Sequence, residues 1–339
     1  MTRAESSIDL NDKAVLITGG TGSFGQKFVA TVLDRFRPRR LIVLSRDEQK
    51  QFDMQNDPRL RDQPSLRFFI GDVRDPGRLR MAMRGVDYVL HAAALKHIPI
   101  AEYNPFECIH TNVLGAENVV TAALDCGVAR VLAVSTDKAV NPINIYGASK
   151  LAADKIFVAA NALSGAEGTR FAVARYGNVL GSRGSVIPFF RRLLAEGADS
   201  LPITDERMTR FWISMAQGID FVLSSLAMMK GGEIFVPKIP SMRTVEMAQA
   251  ISPGAPTHVV GIRPGEKLHE VLISEEDTSA VLELADRYIV CPPQDSRVAE
   301  HHAAGGAERV AQGFRYASDN NPDWLDADRL RRLLEEGGT

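Results

Sequence analysis

Cysteine is scarce in this chain: Cys108, Cys126 and Cys291 are the three in 339 residues, and no two form a Cys-x-x-Cys pair. That excludes a disulfide framework and a cysteine-held zinc site, and suits a reducing compartment. An excess of one charge is also lacking, since 40 basic and 42 acidic residues leave a net charge of −2. A basic field for nucleic acid is therefore not expected, although a local anion site is compatible with that balance. Long apolar runs are missing as well. The longest stretch without a charged residue, Met247 to Ile262, contains Pro253, Gly254 and Pro256 and cannot span a membrane. The opening MTRAESSIDLNDK has no apolar core and does not read as a signal peptide, so a soluble, cytoplasmic protein is expected. No metal site is expected: the pair His301-His302 lacks companion ligands, and its Ala/Gly-rich surroundings, Ala299–Ala307, read as a mobile surface loop.

What the chain does have is an alternation of strands and helices. Short apolar runs suited to buried strands are Ala14–Thr18, Leu41–Ser45, Arg67–Gly71, Tyr88–Ala92, Val131–Ser135 and Phe171–Tyr176. Helix-length segments lie between them, among them Gln26–Phe36, Pro105–Cys126 and Tyr146–Leu163. Repeated βα units imply an α/β fold, a doubly wound parallel sheet of the Rossmann type with helices on both faces. Ligands of such sheets bind beyond the carboxyl ends of the strands. After Tyr176 the rhythm loosens into loops such as Gly177–Pro188, Pro202–Arg210 and Pro237–Arg243, with one further strand at Glu233–Val236. This predicts a smaller, discontinuous lobe. Residues 10–177, with about 213–238, form the dinucleotide-binding domain in this reading, and 178–212 with 239–339 form the substrate-binding lobe.

The first strand runs into Gly19-Gly20-Thr21-Gly22-Ser23-Phe24-Gly25 and then a helix. Glycine permits the tight turn and lets backbone N–H groups approach a pyrophosphate at the helix N-terminus. This predicts dinucleotide binding. An NAD site usually has an acid at the second strand tip for the ribose hydroxyls. Here Ser45 and Arg46 stand there, and a guanidinium can pair with a 2′-phosphate, so NADP is the expected cofactor. Asp72 and Val73, after the third strand, are candidates to bracket the adenine. Tyr146 and Lys150 are four apart at the start of a helix and share one face. An ammonium beside a phenol favours the phenolate, and the same lysine suits the nicotinamide ribose. Thr136, at the fifth strand's tip, is placed to hydrogen-bond a substrate hydroxyl.

The glycine loop, Tyr146 and Lys150 resemble the extended short-chain dehydrogenase/reductase family, which acts mainly on nucleotide sugars. The stretches Ser135–Lys150, Ala92–Pro99, Arg175–Phe190, Pro202–Trp212 and Ile262–Glu270 are more narrowly similar to its C5-inverting UDP-N-acetylglucosamine 4,6-dehydratases, which open pseudaminic acid biosynthesis. The similarity runs over about residues 10 to 330. It implies UDP-N-acetylglucosamine as substrate and a homo-oligomer, with a hexamer as the candidate assembly. It also implies a cycle in which Tyr146 takes the O4 proton while hydride leaves C4. Lys138 then takes the C5 proton, Asp137 protonates the departing C6 hydroxyl, and hydride returns to C6. For this, Lys138 must be partly neutral, with a pKa well below about 10.4. Lys150, if near, and partial burial would both push in that direction.

Within the resemblance, Ala92, Ala93 and Lys96 join the cofactor set, and Lys96 also reaches toward the sugar. Asn178, Arg210, Arg263 and Glu266 match positions that hold the UDP moiety. Asn112 resembles a residue that orders the tyrosine region, whereas His97, Val179, Val186, Ile187 and Phe190 read as packing. Alternatives stay open: a nucleotide-sugar 4-epimerase with the same Thr136, Tyr146 and Lys150, a C5-retaining dehydratase, or a non-catalytic NADP-binding regulator. Asp137–Lys138 separates elimination from epimerisation. Tyr146 separates the inverting class from retaining relatives that carry methionine there.

Overall fold

Six apolar runs become strands in the computed structural model, which describes residues 8–165, 168–182 and 184–336. They are β1 (Ala14–Thr18), β2 (Arg40–Ser45), β3 (Leu66–Ile70), β4 (Tyr88–His91), β5 (Arg130–Thr136) and β6 (Arg170–Tyr176). The opening residues 1–7, Arg183 within the loop Gly177–Pro188, and the last three positions of the predicted lobe lie outside the described residues. Strands of a parallel sheet are covered on both faces and read as unbroken hydrophobic runs. All five residues of β1 are buried, for example, and Ile17 sits in register with Val43 of β2 and Leu90 of β4.

Adding β7 (Ile234–Pro237), β8 (Val281–Glu283), β9 (Arg287–Val290) and β10 (Glu308–Arg309) completes a ten-stranded sheet of order β10-β8-β9-β7-β6-β5-β4-β1-β2-β3. Strands β1 to β7 pair in parallel. The order reverses between β1 and β4, and the crevice at that switch point is where a doubly wound sheet takes its ligand. The last three strands correct the sequence reading, which put residues 239–339 wholly in the second lobe. β9 pairs antiparallel with β7, Ile289 opposite Phe235, and so covers what would otherwise be an open sheet edge.

A second apolar core gathers Ile187, Phe190, Trp212, Met247 and Leu330, among others. Its helices are Val186–Ala195, Thr244–Ile251 and Ala327–Glu336, beside a small sheet with Thr209–Ile213 at its centre. The predicted mobile loop at Ala299–Ala307 is mostly helix, Ser296–Ala304. His302 is buried, and its Nε2 lies 3.0 Å from Glu233 Oε1, so burial against a distant carboxylate orders a stretch whose composition suggested mobility. Among the described residues no group of three or more His, Cys, Asp or Glu side chains is placed to hold a metal ion, and no helix is long and apolar enough to cross a membrane.

Candidate active site

The glycine loop follows β1 and opens helix α1 (Ser23–Arg35). Gly19 has φ of +66°, and a Cβ there would lie 2.8 Å from the backbone of Ala93. The loops after β1 and β4 are therefore in contact, and only glycine allows that approach. The N-cap, Gly22, brings no side-chain hydrogen bond to the first turn, so the positive end of the α1 dipole faces this loop without a capping side chain. Thr21 Oγ1 lies 2.7 Å from Ser45 Oγ, tying the loop to the tip of β2. Buried oxygens without partners add to the fit, Ser135 Oγ on β5 among them. These features suit a dinucleotide.

Arg46 stands beyond Ser45 with Nη1 3.8 Å from Asp72 Oδ2, and Arg74 bonds the same oxygen at 2.7 Å. Burial works against the Asp72 carboxylate, but Arg74 and Arg46 hold it below its usual range. Val73 is buried, with its side chain against Gly115. Lys96 is on the exposed loop after β4. His97 lies against Gly184, whose added Cβ would come 2.5 Å from the ring.

The polar centre forms where β5 ends. Thr136 Oγ1 donates to Asp137 Oδ1 at 2.9 Å, and Lys138 Nζ reaches the same oxygen at 3.0 Å. Lys138 Nζ also donates to Asn178 Oδ1 at 3.3 Å and lies 3.2 Å from Glu270 Oε1. Helix α2 (Ile145–Ser164) brings Tyr146 and Lys150 to this point, with Asn144 as N-cap accepting from the Gly147 N–H at 2.7 Å. A Cβ on Gly147 would lie 2.2 Å from the Lys138 carbonyl, so the helix can seat on the 137–139 turn only with glycine there. Asp137, Tyr146 and Lys150 are all buried; Lys138 keeps 19% of its side chain exposed, enough to meet a ligand.

Two electrostatic expectations are corrected. Lys138 is not held neutral. Burial disfavours its charge, but Asp137 and Glu270 outweigh that and raise its pKa above the ordinary lysine value. Lys150 is not the cation that acts on the phenol most strongly either. Its ammonium donates to the Val134 carbonyl at 2.8 Å, and burial lowers its own pKa. Burial pushes Tyr146 up to about 12, opposed by the Lys138 charge and a hydrogen bond with Thr136. Asp137 is raised, because burial and the nearby Glu270 outweigh its attraction to Lys138.

Asn112 grips the loop after β4. Its Oδ1 accepts from the Leu95 N–H at 2.8 Å, and its Nδ2 donates to the Leu95 carbonyl and Ser149 Oγ, each at 2.9 Å. The predicted single helix Pro105–Cys126 is interrupted at His110–Leu114 by a π-helical turn that carries this residue. Arg210 is buried, with N–H groups committed to the carbonyls of Thr209, Leu268 and Lys267. Arg263 is exposed and 3.8 Å from Glu266, whose Oε2 is buried without a partner. Gly265 accepts from Asn144 Nδ2 at 2.8 Å, which puts that turn beside the start of α2. No sequence signal marks Glu270: a glutamate in Lys-Leu-His-Glu carries no local mark of burial, and its two nearer cations, Lys138 and Arg210, are distant in sequence.

Comparison with known proteins agrees with this geometry. The profile of the polysaccharide biosynthesis protein family matches residues 15–292. A Campylobacter jejuni protein named UDP-N-acetylglucosamine 4,6-dehydratase (inverting) is 52% identical over 329 residues, 96% of this chain and 98% of that one. A Rickettsia akari protein named UDP-glucose 4-epimerase is 41% identical over 336 residues, 95% of each chain. Among solved structures, DesIV, a dTDP-glucose 4,6-dehydratase from Streptomyces venezuelae with NAD and TYD bound, is 28% identical. It covers 75% of this chain and 86% of its own, with a TM-score of 0.67.

Proposed function

The chain belongs to the polysaccharide biosynthesis protein family, and on that premise we propose that it is a UDP-N-acetylglucosamine 4,6-dehydratase that inverts C5. The observation that carries this reading is the contact of Asp137 and Lys138 beside Tyr146 and Thr136 at one strand tip. Epimerisation at C4 needs a group for the O4 proton, and Tyr146 with Thr136 suffices. Elimination across C5 and C6 needs a further base and a further acid, and this chain has both.

A bound nicotinamide cofactor supplies a transient hydride acceptor and donor. Gly19, Thr21, Gly22, Ser23, Phe24 and Gly25 would hold its pyrophosphate, and Ser45, Arg46, Asp72 and Val73 its adenosine. Ala92, Ala93, Lys96, Tyr146 and Lys150 would face the nicotinamide end. Tyr146 takes the O4 proton, and a C4 carbonyl then makes the C5 hydrogen acidic. Lys138 must meet that hydrogen as a neutral amine. Transfer of one proton from Lys138 Nζ to Asp137 Oδ1, along their 3.0 Å hydrogen bond, achieves this without changing net charge. It breaks an N–H bond, forms an O–H bond, and leaves a base at C5 and an acid for the C6 hydroxyl. The raised pKa of Asp137 lowers the cost of this transfer, and the raised pKa of Lys138 opposes it. Asn178, Arg210, Arg263 and Glu266 are the candidate UDP contacts. Arg210 has already committed N–H groups to carbonyls, so it shapes the pocket as much as it binds.

NADP is the proposed form of the cofactor, on the basis of Arg46. Arg46→Ala should weaken NADP binding about ten- to a hundredfold and leave NAD little changed, by titration calorimetry. Equal losses for both cofactors would remove Arg46 from the 2′-phosphate. We further place the enzyme in the cytoplasm as a homo-oligomer, with a product that feeds a 6-deoxy amino sugar such as pseudaminic acid.

The direct test is NMR of a reaction with UDP-N-acetylglucosamine in deuterated water. Expected is a 4-keto-6-deoxy product with deuterium at C5 and the L-configuration. A second reading, 4-epimerase, is favoured by the Rickettsia akari relative. It would give exchange at C4 with the C6 hydroxyl intact. A D-configured product would indicate a retaining dehydratase.

A further inference from the structure

The Lys138 ammonium has three N–H bonds and three acceptors: Asp137, Asn178 and Glu270. Glu270 reaches it from a part of the chain 132 positions away, and is 2% exposed. Three cations meet at this carboxylate. Lys138 Nζ lies 3.2 Å from Oε1, Arg210 Nε 3.7 Å from the same oxygen, and Lys267 Nζ 4.0 Å from Oε2. Burial alone would favour a neutral carboxyl; the three cations outweigh it and hold Glu270 ionised, below the usual glutamate range. Its surroundings are firmly built. The Glu270 N–H donates to Ser318 Oγ at 2.9 Å, and Lys267 Nζ donates to the Val140 carbonyl at 2.5 Å.

We propose that Glu270 is a positioning residue for the elimination: it aims the Lys138 amine and, by its fixed negative charge, sets the pH above which that amine can take the C5 proton. The proposal deepens the dehydratase reading and rests on it. Charged or titratable groups facing Lys138 are Asp137, Glu270, Arg210, Lys267 and the Tyr146 phenol. Asp137 already has a proton to receive and deliver. Glu270, surrounded by cations, keeps its charge throughout, and that constancy suits it to tuning. The sign follows directly. A negative charge beside an ammonium stabilises the protonated form. The rising limb of the pH–rate profile tracks loss of the first proton from the Asp137–Lys138 pair, which leaves the one-proton form that the two groups share, so removing the charge moves the limb toward acid.

Glu270→Gln keeps the shape and an acceptor oxygen for Lys138 while deleting the charge. Expected is an acid shift of the rising limb by about one pH unit or more. The Lys138 amine, followed by NMR with labelled lysine, should titrate correspondingly earlier. Glu270→Asp keeps the charge on a shorter arm, so its limb should stay near the wild-type position while kcat falls. If the Gln variant does not fold, Arg210→Gln is the converse arm, because losing a cation beside Lys138 should move the limb toward alkali. A folded Gln variant with profiles superimposable on wild type overturns the proposal, as does an Arg210→Gln limb that stays put. If the wild-type protein forms no 6-deoxy product, the dehydratase reading fails instead, and the lysine titration still reads the effect of the Glu270 charge by itself.

Discussion

Lys138→Ala should reduce formation of the 4-keto-6-deoxy product by about 10²- to 10⁴-fold, the range of a positioned general base. Among the described residues, Lys138 is the one assigned to the C5 hydrogen, and alanine supplies neither a lone pair nor a charge. Incorporation of solvent deuterium at C5 should fall in parallel, because exchange and elimination share that step. Cofactor binding should survive, since the glycine loop and the Thr21–Ser45 contact lie at another strand tip. Part of the loss comes from Tyr146: Lys138 is the cation that most favours its phenolate, so its removal also slows the first proton transfer. Deuterium entering C5 at the wild-type rate in a folded Lys138→Ala protein would remove this lysine from the mechanism.

Tyr146→Phe should be at least as damaging, again by about 10²- to 10⁴-fold, and should abolish exchange at C5 together with product. Without a group for the O4 proton the C4 carbonyl does not form, and the C5 hydrogen never becomes acidic. Burial holds the phenol at about 12, so at neutral pH it is protonated in the free protein, and the phenolate must be developed with help from Lys138 and Thr136. The two variants therefore differ in a readable way. Phenylalanine at 146 stops everything after substrate binding, whereas alanine at 138 slows oxidation at C4 without stopping it. A C4 ketone detected by NMR with Lys138→Ala and missing with Tyr146→Phe separates them, with cofactor affinity as the folding control. Retained C5 exchange in Tyr146→Phe would show that another group accepts the O4 proton.

Much of the fold is legible along the chain because a buried parallel strand has a local signature. Runs such as Ala14-Val15-Leu16-Ile17-Thr18 are apolar at every position, and the helix after the glycine loop begins where the glycines end. The four-residue spacing of Tyr146 and Lys150 is equally local, since one turn of helix carries both to the same face. The strands β8 and β9 are different. They are three and four residues long, and antiparallel pairing, of β9 with β7 and of β8 with β9, makes them part of the sheet. His302 is similar: nothing near it in sequence announces Glu233 as its partner.

Sequence alone determined the buried strands, the dinucleotide loop and two local sets at the tip of β5, Thr136 with Asp137 and Lys138, and Tyr146 with Lys150, because each depends on neighbours a few residues apart. Only the tertiary structure decided their charge. Whether Lys138 carries a proton depends on Glu270, 132 positions further along, and on how much water the fold excludes around both. Ionisation responds to distance and solvation in space, and neither can be measured along a chain.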